Sequence, residues 1–243
     1  MSPKAAFSNA VVIGASGGIG KALVAALMAD GVQNVHGLSR SGAPEFSSGG
    51  IAGRIDIRDE ASIAAAAGRV RETGPADLVL VATGLLHDGA IQPEKTYRSL
   101  SADALAEYFA VNTIGPALVA KHFLPLLPRD RRAVFACLSA RVGSIGDNRL
   151  GGWYGYRASK AALNMLIKSL SIEIARTLPE AICVGLHPGT VDTGLSAPFQ
   201  SGVAPEKLFT PAVSARCLLD VVKTLTPDQT GGCYAWDGER IVP

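Results

Sequence analysis

The chain is short of charge, and what it has is not clustered. Charged residues make up 18% of the 243 positions and the net charge is +2, with no run of lysine and arginine. That argues against nucleic acid or an anionic membrane surface as the main partner. No apolar run is long enough to span a bilayer. The apolar stretch near the N-terminus is brief and passes directly into a glycine-rich turn, so a signal peptide is not expected and the cytoplasm is the expected compartment. The cysteines are few and scattered (Cys137, Cys183, Cys217 and Cys233), with no C-x-x-C pair. They read as small buried hydrophobes rather than as disulfides or metal ligands, and no metal site is expected. Linkers, internal repeats and low-complexity tracts are also missing, which predicts one domain over residues 1–243.

What is present is alternation. Short runs rich in Val, Ile and Leu occur at 10–14, 35–38, 51–57, 78–82, 133–138 and 182–186, most without polar alternation, as strands covered on both faces require. Between them lie helical patterns at 18–30, 60–73, 101–127, 154–177 and 211–225. Repeated strand–helix alternation predicts an α/β fold, a doubly wound parallel sheet of Rossmann type with helices on both faces. A Gly/Ser-rich stretch at 39–50 reads as a mobile loop, too short to separate domains.

The first apolar run ends in Gly14-Ala15-Ser16-Gly17-Gly18-Ile19-Gly20 and a helical pattern follows at once. Glycines there permit a tight turn and close approach of backbone to a pyrophosphate. The free N–H groups at the helix start favour the anion, and Ser16 can add a hydroxyl. The spacing is G-x-x-x-G-x-G, a weak signal alone, but it stands at the first strand–helix junction, where a nucleotide is expected. An Asp or Glu after the second strand would hold the ribose hydroxyls of NAD. The chain has Leu38-Ser39-Arg40-Ser41 instead, a cation flanked by hydroxyls that suits the extra phosphate of NADP(H), which is therefore preferred over NAD(H). Asp56, followed by Ile57, can accept a hydrogen bond from the adenine amino group, and Ala82-Thr83-Gly84 offers close backbone approach to a ribose.

Tyr156 and Lys160 open the helical pattern at 154–177 four residues apart, so phenol and ammonium face the same way. A neighbouring cation favours the phenolate and lowers its pKa, which would let Tyr156 act as acid or base on a carbonyl or alcohol. Lys160 can in addition reach the nicotinamide ribose.

Taken in order, Gly14-x-x-x-Gly18-Ile19-Gly20, Asp56, Val111-Asn112, Tyr156-x-x-x-Lys160 and Pro188-Gly189-Thr190-Val191-Asp192-Thr193 resemble the short-chain dehydrogenase/reductase family over nearly the whole chain. The stretches 143–145, 151–164 and 231–242 are similar to its C-factor/sniffer-like carbonyl reductase branch. The resemblance implies that Tyr156 is the acid/base, that Lys160 lowers its pKa and that Asn112 supports a proton-relay water. It also implies that Pro188, Gly189, Val191 and Thr193 contact the nicotinamide carboxamide, and that the protein assembles as a homodimer or homotetramer. The implied partner is a small carbonyl or alcohol substrate, an apolar aldehyde or ketone. Leu85, Leu86, Trp153, Tyr154 and the segment 195–209 are expected to line its pocket, the last as a mobile lid.

The chain departs from the family at two places. It has Ala82-Thr83-Gly84 for Asn-Ala-Gly. At the end of the fifth strand, where the family places Ser-Ser, it has Ser139-Ala140, which puts Ala140 at the position of the catalytic serine. Ser139 at the strand end or Ser144 in the following loop could supply the hydroxyl, or neither does; Ser139 ranks first because the strand anchors it, although alternation points neighbours to opposite faces. A competing reading, motivated by Ala140 and the resemblance to C-factor, is a nucleotide-binding signalling or regulatory protein with little turnover.

Overall fold

The computed structural model describes residues 5–42 and 50–243. Of the stretch expected to be a mobile loop, residues 43–49 lie outside the described residues. Nine strands and six α-helices follow along the described chain: β1 (Asn9–Ile13), α1 (Gly18–Ala29), β2 (Asn34–Ser39), β3 (Ile51–Arg54), α2 (Glu60–Arg71), β4 (Leu78–Val81), α3 (Ala102–Phe109), α4 (Gly115–Phe123), β5 (Ala133–Leu138), α5 (Tyr154–Ile174), β6 (Ala181–His187), β7 (Thr190–Val191), β8 (Leu208–Phe209), α6 (Pro211–Thr224) and β9 (Cys233–Ala235). Seven of the strands form one sheet in the order β3-β2-β1-β4-β5-β6-β9, and every pairing in it is parallel. The fold is thus the Rossmann-type doubly wound sheet that the alternation predicts.

The reason lies in the strands' two apolar faces. Successive side chains of a strand point to opposite sides. Val11 and Ile13 of β1 accordingly join the core beneath α2, α4 and α5, with Ile63, Val70, Phe123, Leu163 and Ile167. Ala10 and Val12 join the core beneath α1 and α6, with Leu23, Leu27, Leu218 and Val222. Both cores are closed off: Phe123 and Phe135 of the first and Leu23 and Leu27 of the second are fully buried, and truncating either phenylalanine to Ala would cost about 3–5 kcal/mol.

Three features differ from the sequence expectations. The third strand is shorter than 51–57 and ends at Arg54. The helix expected over 101–127 is broken into α3 and α4 by one π-turn over Ala110–Ile114, and a 3₁₀ turn follows at Leu124–Leu126. The wider turn shifts the helical phase by one residue, and in a stretch as broadly apolar as this one such a shift leaves no distinct mark in the sequence pattern. The seventh strand, β9, is three residues long between glycines and carries no strand pattern of its own. Among the described residues no helix is long and apolar enough to cross a membrane.

Candidate active site

Strand order reverses between β1 and β4, and open α/β sheets bind ligands beyond the carboxyl ends of the strands at such a point. A cleft of about 300 Å³ opens there, and ten of the residues expected to bind the cofactor line it: Gly14, Ser16, Gly17, Ser39, Arg40, Asp56, Ile57, Ala82, Thr83 and Gly84.

The turn after β1 requires its glycines. Gly14 has φ +93°, and a side chain on it would meet the Ala82 carbonyl oxygen at 2.8 Å. A Cβ on Gly20 would collide with the carbonyl of Gly14. Gly17 is the N-cap of α1 and supplies no side-chain cap, and no acidic residue stands in the first turn. The N–H groups of that turn are therefore left for an anion, and with this bare cradle the site fits the diphosphate of a dinucleotide. A Cβ on Gly18 would lie 2.7 Å from the Thr193 methyl carbon; Ile19 packs beneath, against the α1/α6 core. The loop after β6 is thereby brought against the phosphate turn. In that loop Gly189 has φ +77°, the Pro188 carbonyl accepts from the Ser214 hydroxyl at 2.8 Å, and Val191 is buried.

At the end of β2, Ser39 is buried with its hydroxyl 3.3 Å from that of Ser41, and Arg40 is exposed at the rim of the cleft. One further cation lines the same cleft: Arg58, ion-paired to Glu107 of α3 at 2.6 Å. Sequence reasoning missed this pair, because its members are distant in the chain and each reads as a surface charge.

The candidate catalytic groups gather at the opposite end. Tyr156 and Lys160, on the first turns of α5, are both buried, and the Lys160 Nζ lies 5.9 Å from the centre of the Tyr156 ring. Nζ donates to the Leu138 carbonyl at 2.8 Å. A Cβ on Gly84 would stand 3.7 Å from both Nζ and the Asn112 Oδ1, so Gly84 borders both groups. Asn112 sits on the π-turn and is fully buried. Its Oδ1 accepts from the Leu85 N–H at 2.8 Å, while its Nδ2 donates to the Leu85 carbonyl and to the Ser159 hydroxyl. Without the extra residue of the π-turn, the helix would aim position 112 elsewhere; such turns recur at functional sites.

Burial governs the titration of this pair. It pushes the Lys160 ammonium down to about 8, and it pushes the Tyr156 phenol well above its ordinary value, with Tyr108 adding to the effect. The expected lowering of the Tyr156 pKa by Lys160 is not what this geometry gives, because desolvation outweighs a cation whose proton is directed to Leu138. A phenol so held is neutral at pH 7, the form that donates a proton.

The ranking of Ser139 as the carbonyl-orienting hydroxyl needs correction. Its Oγ donates to the Asn164 Oδ1 at 2.6 Å, and the Ser144 Oγ accepts from the Asp147 N–H. Both hydroxyls are buried in these bonds. Ala140 is the residue that shares an apolar cluster with Tyr156, together with Leu86 and Tyr108. Strand alternation turns Ser139 to the other face.

Aromatic rings close the site. Trp153 stacks edge-on against Tyr156 (6.3 Å) and against Phe199 (5.1 Å), and Phe199 in turn meets His87 at 5.6 Å. Phe199 belongs to the expected lid, and the His87 Nε2 lies 3.0 Å from the Gly194 carbonyl oxygen at the lid's start. Trp153 is the only non-glycine at positive φ among the described residues, a conformation that costs about 1–2 kcal/mol.

A profile of the short chain dehydrogenase family matches residues 8–204. The C-signal protein of Myxococcus xanthus is 32% identical over 170 residues, which cover 70% of this chain and 93% of that protein. The NADPH-bound carbonyl reductase from chicken fatty liver superposes with a TM-score of 0.82 at 26% identity, covering 97% of this chain and 99% of the other. The carbonyl reductase Sniffer of D. melanogaster shares the fold, with a TM-score of 0.83 at 24% identity over 97% of this chain and 99% of its own. The chain belongs to the short-chain dehydrogenase family and is an oxidoreductase.

Proposed function

We propose that the protein is an NADP(H)-dependent carbonyl reductase acting on apolar aldehydes or ketones, with Tyr156 as the proton donor. The observation that carries this reading is the juxtaposition of a bare phosphate turn with a buried Tyr156–Lys160–Asn112 group along one sheet edge. Bound NADPH supplies the hydride. The turn from Gly14 to Gly20 binds the diphosphate, and Arg40 with the hydroxyls of Ser39 and Ser41 holds the 2′-phosphate. Asp56 takes the adenine amino group, with Ile57 beside it. Ala82, Thr83 and Gly84 border the ribose, and Pro188, Gly189, Val191 and Thr193 hold the carboxamide end. The neutral Tyr156 phenol delivers its proton to the substrate oxygen as charge develops there. Lys160, held on Leu138, stabilises the resulting phenolate, and Asn112 fixes the backbone at Leu85 beside it. The rings of Trp153 and Phe199 exclude water and favour apolar substrates. The likeness to the chicken carbonyl reductase supports both the reaction and the cofactor.

One observation favours a second reading, a nucleotide-binding regulator with little turnover: Ala140 stands beside Tyr156 where a serine would orient the carbonyl. Titration with NADPH and NADH, followed by NADPH oxidation against a panel of aldehydes and ketones, decides between them. The carbonyl reductase binds NADPH more tightly than NADH and turns over at least one panel member, and Tyr156→Phe loses that turnover while keeping NADPH binding. Tight binding with no turnover across the panel would establish the regulator instead.

A further inference from the structure

The first turn of α5 is held by a residue that lies some sixty positions earlier in the chain. Glu94 is only 4% exposed, although the segment around it contains no regular secondary structure. Its side-chain Oε2 accepts the Gly155 N–H at 3.1 Å, and its backbone carbonyl accepts the N–H of Trp153. Trp153 is the N-cap of α5 and provides no side-chain cap. Glu94 therefore does from a distance what an N-cap side chain does locally, satisfying an orphan donor of the helix with a group of the sign the helix start prefers.

The geometry it grips is unusual. Gly151, Gly152 and Trp153 follow one another with φ +63°, +65° and +52°. The left-handed region suits the two glycines; Trp153 occupies it against its own preference, and the bond to the Glu94 carbonyl opposes its return. Gly155 is equally constrained, since a Cβ there would run into the Tyr108 ring and come within 3.0 Å of the Glu94 Oε1. The result is a Trp153 indole set edge-on to the Tyr156 ring. The second carboxyl oxygen, Oε1, is buried with no hydrogen-bond partner among the described residues.

We propose that Glu94 is a positioning residue for the reaction: by clamping the start of α5 it fixes Trp153 in its left-handed conformation and so sets the Trp153–Tyr156 pair against which the substrate carbonyl is seated. The proposal rests on the reading of Tyr156 as proton donor. It separates Glu94 from the cofactor half of the cleft, whose lining residues do not include it.

The test uses the full chain with Glu94→Ala and Glu94→Gln. In a Trp236→Phe background Trp153 is the one remaining indole, so its near-ultraviolet circular dichroism reports its setting without any turnover. Glu94→Ala should lose that band and lower kcat on a panel substrate by about 10- to 100-fold, the effect of displacing a reacting group by a fraction of an ångström. Its NADPH affinity should stay as in the parent. Glu94→Gln, whose amide oxygen can accept the same Gly155 N–H, should recover both band and kcat in large part. In a Trp153→Gly background, where glycine adopts the left-handed turn freely, Glu94→Ala should cost much less in kcat. Retention of the Trp153 band and of kcat in Glu94→Ala overturns the proposal. So does loss of NADPH binding in Glu94→Gln, which would make Glu94 a general support of the fold. Should Tyr156→Phe keep its turnover, the reading of Tyr156 fails, while the dichroism still judges the clamp.

Discussion

Asn112 and the backbone of Leu85 hold each other in a closed pair: the Leu85 N–H donates to Oδ1 at 2.8 Å and Nδ2 donates back to the Leu85 carbonyl at 2.9 Å. The pair ties the π-turn to the strand end that borders the cleft. Asn112→Ala leaves both Leu85 backbone groups without this partner and takes one of two bonds from the Ser159 hydroxyl, which keeps the Tyr156 carbonyl, and should lower the unfolding free energy by about 2–4 kcal/mol. Urea denaturation with and without NADPH measures this; an unchanged midpoint would mean that the pair is replaceable by water.

Coenzyme choice should follow the charge at the end of β2. Arg40→Asp removes the cation flanked by Ser39 and Ser41 and places a carboxylate there. NADPH affinity should fall about 10- to 100-fold, the equivalent of one charge-assisted hydrogen bond, while NADH affinity holds or improves. Equal losses for both coenzymes would assign Arg40 a role unrelated to the 2′-phosphate.

The two serine positions separate cleanly. Ser139→Ala removes the bond to Asn164 and the contact with the Cys233 thiol, and should cost about 1 kcal/mol of stability with little change in kcat. Ala140→Ser adds a hydroxyl within the Tyr156 cluster and should raise kcat or lower KM for a carbonyl substrate. Steady-state kinetics of the two variants test this; a collapse of kcat in Ser139→Ala would return the hydroxyl to the reaction.

Lys160 should destabilise the fold at neutral pH. Its folded-state pKa of about 8 lies below the ordinary 10.5, so the unfolded chain holds the extra proton between those values and stability rises with pH across that window. Below pH 8 the penalty is full, on the order of 3 kcal/mol. Lys160→Met should therefore melt higher than the wild type at pH 7 in the absence of coenzyme, though inactive. The gap between the two should narrow towards pH 10. Tyr156, shifted the other way by burial, lowers stability above its ordinary pKa of 10, and the buried thiols of Cys137, Cys183 and Cys233 do so from about 9; both proteins share these groups, so the gap between them reports Lys160. A gap that is constant with pH would mean that Lys160 is not penalised by burial.

Much of this architecture is legible in the chain itself, because strands buried on both faces must be continuously apolar, as at Leu78–Val81 and Ala133–Leu138. The cofactor half is legible for a similar reason: its residues act through backbone approach and local charge, both of which are written in consecutive positions such as Gly14 to Gly20. The substrate half is not. Glu94 lies in a polar turn segment and reads as a surface acid; its burial follows from where α5 starts. Tyr108 and Ser159 support the site through contacts made by the fold, with no local signature. Ser139 misleads because, just past the end of β5, its hydroxyl is taken up by Asn164, a partner 25 residues away that no local pattern announces, while Ala140 joins the Tyr156 cluster.

The small ladder of β7 and β8 pairs Thr190 with Leu208 and Val191 with Phe209. It joins the two stems of the segment that carries Phe199, so everything between the stems is a loop closed on itself. Its near stem ends at Thr193, against the phosphate turn, whereas Phe199 further along packs on Trp153, on His87 and on the cluster that holds Tyr156. On the proposed reading, substrate range and coenzyme choice are carried by different stretches of the chain. A change in length or sequence between 195 and 207 would then act on the substrate first, with the coenzyme reached only through the stem at Thr193.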